Sequence, residues 1–193
     1  MNIILASKSP RRIEILSKHN VEALVMPTET DESLPEGIGM TEAVEMLAKR
    51  KADSCYAMVA GKDEYAGHTI VAADTIVWKD ELMGKPEDRA DARRMLESIR
   101  GTYHYVVTGI AVIDVDTGSS LVRSDITEVW CKDYTDEELE DYLATDEPYD
   151  KAGSYAIQGL FGRHIDHIEG DYENVVGLPY HLLAEMLEEL EKY

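Results

Sequence analysis

Basic residues are scarce in this 193-residue sequence: 19 Lys and Arg stand against 39 Asp and Glu, a formal net charge of −20 at pH 7. So acidic a chain repels DNA and RNA backbones, whose binding rests largely on cations displacing counterions. It is repelled from anionic membrane surfaces as well. A small polyanion remains a candidate ligand, but only at a local basic cluster or through a divalent metal. Cysteine is also scarce. Cys55 and Cys131 lie far apart, with no CxxC and no Cys/His ligand spacing. That speaks against a zinc site and for a reduced, cytoplasmic protein without a disulfide. The opening apolar run, Ile3 to Ala6, is far too short for a signal peptide or a membrane span. Repeats and low-complexity segments are missing too. The 44% apolar content is enough for one domain, in one body or two lobes, with a real core.

The pattern of elements points to an α/β class with a mixed sheet. Ile3 to Ala6 reads as a short buried strand, and Ser9 and Pro10 as the cap and first residue of a helix to about His19. Val21 to Met26 reads as a second strand, followed by a polar loop from Pro27 to Gly39. Thr41 is expected to cap a helix running to about Val59. Thr69 to Trp78 is β-rich and apolar, the mark of a central strand. A helix from Asp88 to Ile99 stops before Gly101. Tyr103 to Val115 and Leu121 to Cys131 are expected to form a hairpin about Asp116-Thr117-Gly118, and part of a second lobe. Thr135 with Glu138 makes a capping box, a strand lies near Ile165, and Pro179 opens a final amphipathic helix.

The one basic stretch is the N-terminus, where Lys8, Arg11, Arg12 and Lys18 face a single acid, Glu14, within the first twenty residues. Ser7, Lys8, Ser9, Pro10, Arg11 and Arg12 sit between a strand and a helix. Free N–H groups at a helix start attract anions. Cations there are unfavourable by about 0.3–1 kcal/mol each, so two arginines in a first turn are odd unless an anion lies between them and the helix end. A solvated basic helix start is the competing reading. Asp74 stands within the apolar strand Val71-Ala72-Ala73-Asp74-Thr75-Ile76-Val77. A carboxylate there is costly unless paired or metal-bound, so it reads as a general base or metal ligand, or else as a strand-end acid bonding loop amides. Alternation puts Asp74 with Ala72 and Ile76, and Thr75 on the other face. Lys85 in Gly84-Lys85-Pro86 could project toward a phosphate, but most turn lysines are solvated. Glu32, and Lys51 beside Lys49 and Arg50, are weak signals alone. Gln158 offers an amide able to read a base edge, or a satisfied loop amide.

Taken in order, Ala6-Ser7-Lys8-Ser9-Pro10-Arg11-Arg12, Ala73-Asp74-Thr75, Gly84-Lys85-Pro86, Asp150-Lys151-Ala152-Gly153, Ile157-Gln158-Gly159 and Gly170 to Pro179 resemble the Maf family over nearly the whole chain. Each motif is weak alone; the ordered set is specific. The resemblance implies a two-lobed mixed α/β fold around a central cleft, of the Maf and ITPase kind. It implies a nucleoside triphosphate pyrophosphatase that uses magnesium or manganese. Asp74 then corresponds to the base that activates water, and Glu32 to an acidic partner, the two being the metal-holding candidates. Ser7, Arg12, Lys51 and Lys85 correspond to groups holding the triphosphate, with Ser9 in the same turn. Arg11, Thr75 and Gln158 match positions linked to base selection, and they favour the branch acting on dTTP, UTP and modified pyrimidine forms over that acting on 7-methyl-GTP. The Gly-rich, charged loop between Ala60 and Thr69 is the one mild departure. A second reading, a nucleotide-binding regulator of septum formation with little turnover, gains nothing from a carboxylate near phosphate unless a metal sits between them. A homodimer is reasonable for a small enzyme of this kind.

Overall fold

A computed structural model describes residues 2–192. Its strands are β1 (Asn2–Leu5), β2 (Ala23–Val25), β3 (His68–Lys79), β4 (Glu81–Met83), β5 (Tyr103–Asp114), β6 (Ser120–Cys131) and β7 (Ile165–Glu169). The helices are α1 (Pro10–Lys18), α2 (Met40–Val59), α3 (Arg89–Ile99), α4 (Asp136–Leu143), α5 (Tyr172–Val176) and α6 (Tyr180–Leu190). All seven strands join one sheet in the order β2-β1-β3-β5-β6-β7, with β4 paired to β3 off that path. β1 runs parallel to β2 and β3, whereas β3–β4 and β6–β7 are antiparallel. The sheet is therefore mixed, and helices flank it, as the alternation of patterns along the sequence implies.

Two compact units share the chain: Met1–Thr75, Thr108–Asp125 and Gly177–Tyr193 form one, Ile76–Val107 and Ile126–Val176 the other. The first unit is built on α2. Its small residues Ala48, Ala52 and Cys55 let the helix approach the sheet closely, and they share a core with Ile4, Ile70, Ala72, Ala111 and Ile113. The approach is close at Gly109 on β5, where an added Cβ would lie 2.4 Å from the Val44 carbonyl oxygen of α2. In the second unit, α3 and α4 bury Met95, Leu96, Ile99, Leu139, Tyr142 and Leu143 with Val106 and Val129. Phe161 is fully enclosed there, its ring meeting Tyr134, Tyr142, Tyr155 and His164.

Local chemistry sets most boundaries. Thr135 and Glu138 form the reciprocal capping box of α4. Asp88 caps α3 by accepting from the Asp91 N–H. One expectation is corrected. Gly39 and not Thr41 is the N-cap of α2, because the helix begins two residues earlier than that cap implies and Thr41 lies inside its first turn. Each strand of the β5–β6 hairpin has twelve residues, with Tyr103–Val107 and Ile126–Cys131 in the second unit and the remainder in the first.

Candidate active site

β1 ends at Leu5, and the chain turns through Ser7 into α1. The mouth of α1 carries no side-chain cap and no acid in its first turn. Ser9 is the N-cap residue as expected, but its hydroxyl does not cap; its own N–H instead donates to Ser7 Oγ at 3.2 Å. Arg12 is the organiser of this corner. Its Nε donates to the Gly177 carbonyl (2.9 Å), Nη1 to Ser7 Oγ (3.1 Å) and Nη2 to Thr75 Oγ1 (3.2 Å). Thr75 Oγ1 lies in turn 2.9 Å from Thr108 Oγ1 on β5. Burial lowers the Arg12 pKa below its usual value, the charge of Asp74 opposes that shift, and Arg11 adds to it. A guanidinium stays protonated in proteins. Arg12 is thus a fixed cation beside Asp74, with three of its five N–H donors committed to the protein.

Gly177 belongs to the same corner. Its φ of +123° is open to glycine, and a Cβ there would come 3.4 Å from Thr75 Oγ1 and 3.7 Å from Arg12 Nε. The C-terminal segment can approach the arginine because that side chain is missing.

The opposite face of β3 carries the acid chemistry. Asp74 Oδ1 is 2.5 Å from Lys51 Nζ on α2, and both side chains are largely buried, at 13% and 15% exposure. Glu32 Oε1 reaches the same ammonium at 2.9 Å, although its side chain is 67% exposed. Lys51 therefore does not sit on a solvated helix face, as it reads in isolation: α2 turns it onto the sheet between two carboxylates. The alternation along β3 holds as expected, since Asp74 faces α2 while Thr75 faces α1 through Arg12.

Glu32 comes from the loop between β2 and α2, which the backbone of α2 and Arg50 hold. Thr28 Oγ1 donates to the Lys51 carbonyl (3.3 Å), and Arg50 Nη1 to the carbonyls of Asp31 (3.1 Å) and Ser33 (2.6 Å). In the same loop the Thr30 hydroxyl is buried without a hydrogen-bond partner.

Ser7, Arg12 and Thr75 thus meet, as do Glu32, Lys51 and Asp74, and the adjacency of Asp74 and Thr75 joins the two groups. Arg11 is exposed. Lys85 and Gln158 are exposed residues of the second unit. There Lys85 helps hold Asp150 below the usual carboxyl range, after the larger effect of the hydrogen bond from Lys151. Sequence reasoning missed Thr108 and Arg50, and it gave Gly177 no role beyond its place in the Gly170–Pro179 segment. Thr108 had a signal, a hydroxyl within the buried run Val106 to Ile113. Arg50 had none, because an arginine on a helix bears no mark of which carbonyls it will meet.

A mixed α/β fold that sets a strand acid against a lysine, and a part-buried arginine at a bare helix mouth, gathers fixed cationic and acidic groups of the kind that suit a polyanionic ligand. The chain belongs to the Maf-like protein family, whose pattern matches residues 2–190. It is 44% identical over 185 residues to the dTTP/UTP pyrophosphatase of Alkaliphilus metalliredigens, covering 96% of this chain and 94% of that one. It is 45% identical over 192 residues to the protein of the same name from Geotalea uraniireducens, covering 99% and 94%. With that of Acetivibrio thermocellus it shares 42% over 193 residues, covering 98% and 95%. The Staphylococcus aureus Ham1 protein has a similar fold, with a TM-score of 0.54 at 14% identity over 98% of this chain and 99% of that one.

Proposed function

We propose that this protein hydrolyses dTTP and UTP, with modified pyrimidine triphosphates, to the monophosphate and pyrophosphate. The observation that carries the reading is the convergence of Asp74 and Glu32 on Lys51 Nζ, on a chain whose relatives are named dTTP/UTP pyrophosphatases. Asp74 lies on a strand with 13% of its side chain exposed, beside the Lys51 ammonium; once Lys51 turns to phosphate, the carboxylate is left to take a proton from water. In the proposed reaction Asp74 accepts the proton of a water that attacks the α-phosphorus, and pyrophosphate leaves. Lys51 donates to phosphate oxygens as the negative charge shifts. The free N–H groups at the mouth of α1 and the Ser7 hydroxyl bind the triphosphate, and Arg12 supplies its field from a fixed position. Positioning and charge stabilisation account for most of such catalysis. Arg11, Ser9 and Thr75 complete the proposed set within the first unit.

The residues fit a divalent cation. Asp74 and Glu32 offer hard carboxylate oxygens that already converge on one positive charge, the donor type that suits magnesium and manganese. When bound, such an ion neutralises the triphosphate, which a chain of net charge −20 otherwise repels. A reduced cytoplasmic setting fits the free, buried Cys55 and Cys131, whose thiols burial pushes up to about 11 and about 12. Among the described residues no helix is long and apolar enough to cross a membrane.

The test is Asp74→Asn, assayed for pyrophosphate release over dTTP, UTP, 5-methyl-UTP, pseudo-UTP and 7-methyl-GTP. An amide still accepts from Lys51, so the fold and nucleotide binding are expected to survive. Turnover of the pyrimidine nucleotides is expected to fall by about 10²–10⁴-fold, the usual share of a general base. Unchanged turnover removes the base assignment, and a preference for 7-methyl-GTP removes the substrate assignment.

A further inference from the structure

We propose that Arg50 is a positioning residue that sets Glu32 at the site, an inference that rests on the reading of Glu32 given above. Between Val25 and Met40 the chain has no helix or strand. An exposed carboxylate on such a segment ranges over many positions unless its backbone is tied. The ties lie immediately to either side of Glu32. One nitrogen of Arg50, Nη1, donates to the carbonyl of Asp31 at 3.1 Å and to that of Ser33 at 2.6 Å. The Asp31 carboxylate closes the same turn by accepting from the Ser33 N–H (2.9 Å) and hydroxyl (2.7 Å). The other end of the guanidinium rests against Met46 Sδ, 3.2 Å away and four residues earlier on α2.

The arrangement divides the work between consecutive residues of one helix. Arg50 grips the backbone around Glu32, and Lys51 receives the Glu32 side chain at 2.9 Å. A rigid guanidinium suits a grip on two carbonyls, because its donors are fixed in a plane and its charge does not titrate. The Arg50 grip does not depend on the Lys51 side chain. Glu32 therefore stays within reach of the site when Lys51 turns from the carboxylates to phosphate.

The experiment compares the full chain with Arg50→Met, Glu32→Gln and the double variant. Methionine keeps the apolar stem and removes the donors together with their charge. Without nucleotide or metal, hydrogen exchange of residues 27–39 is expected to speed up about tenfold in Arg50→Met, with β3 unaffected. Manganese binding, followed by electron paramagnetic resonance with the metal alone, is expected to weaken. So is the magnesium dependence of pyrophosphate release from dTTP, each by about 10–100-fold, as for residues that orient metal ligands. In the Glu32→Gln background, Arg50→Met is expected to add less than about twofold. Unchanged loop exchange overturns the inference, and so does a full additional loss in the double variant, which would mean that Arg50 acts on substrate or fold directly. Wild-type manganese binding and turnover in Arg50→Met, beside an impaired Glu32→Gln, overturns it alone. Wild-type behaviour of Glu32→Gln overturns the reading of Glu32, and the inference falls with it.

Discussion

Single residues show how far side-chain chemistry departs from its sequence surroundings. His104 is fully buried in the second unit, its Nε2 2.6 Å from the Tyr155 hydroxyl and its Nδ1 4.0 Å from Cys131 Sγ. Burial first, and the charge of Lys79 second, lower its pKa from 6.5 to about 3. Because the folded value is the lower one, the unfolded chain takes up the proton first as pH falls. The stability His104 contributes is complete above 6.5 and is lost between 6.5 and about 3. The slope from this group approaches about 1.4 kcal/mol per pH unit. Urea unfolding at pH 7, 6 and 5 is expected to show a flatter pH dependence in His104→Gln than in the parent, even if the variant is weaker at pH 7. Equal slopes would mean the imidazole titrates alike in both states. Nothing in the sequence marked His104, since burial is a property of what surrounds a side chain. Asp74 was legible because a charge amid Ala, Ile and Val is an anomaly that needs a partner.

At the scale of elements, the site depends on the closeness of α2 to the sheet. Lys51 reaches Asp74 only because α2 lies low over the strands, and Gly109 is where nothing but hydrogen fits between β5 and the helix backbone. Gly109→Ala places a methyl against Val44 O, Val44 C and Glu45 N at 2.4–2.8 Å. These are backbone atoms and cannot swing aside. The variant is expected to lose about 1–3 kcal/mol of stability, the usual cost of overpacking. Pyrophosphate release is expected to fall with it, because the helix that must lift is the one carrying Lys51. A shifted urea midpoint with undiminished turnover would separate the two elements' roles. The helices and the long strands were readable from caps and periodicity. The 3-10 turns between Glu147 and His164 were not, since three- to five-residue pieces carry too little pattern.

For the whole molecule the dominant physical fact is charge. Surface pairs such as Arg94–Glu81 and Arg100–Asp136 are individually weak, and 39 acids outnumber 19 basic residues. Net repulsion therefore exceeds local attraction. Raising salt from about 10 mM to about 150 mM shortens the screening length from about 30 Å to about 8 Å. The melting temperature is expected to rise over that range in differential scanning calorimetry, and a fall would show that the ion pairs prevail. Neither compact unit is a continuous stretch of chain. β3, β5 and β6 each pass from one to the other, so no single cut in the sequence separates them. That is why no domain boundary was visible in composition.

The order of residues alone determined the α/β class, most helix ends, the acidic surface, and the candidacy of Asp74 and the Ser7–Arg12 turn. These follow from local rules: periodicity, capping and the cost of a charge among apolar neighbours. Tertiary structure decided the rest. It made Lys51 the shared partner of Glu32 and Asp74, tied Arg12 to Gly177 across 165 positions, and put the carbonyls of Asp31 and Ser33 under Arg50. Such pairings join residues far apart along the chain, and their energies exist only once packing has removed water from between them.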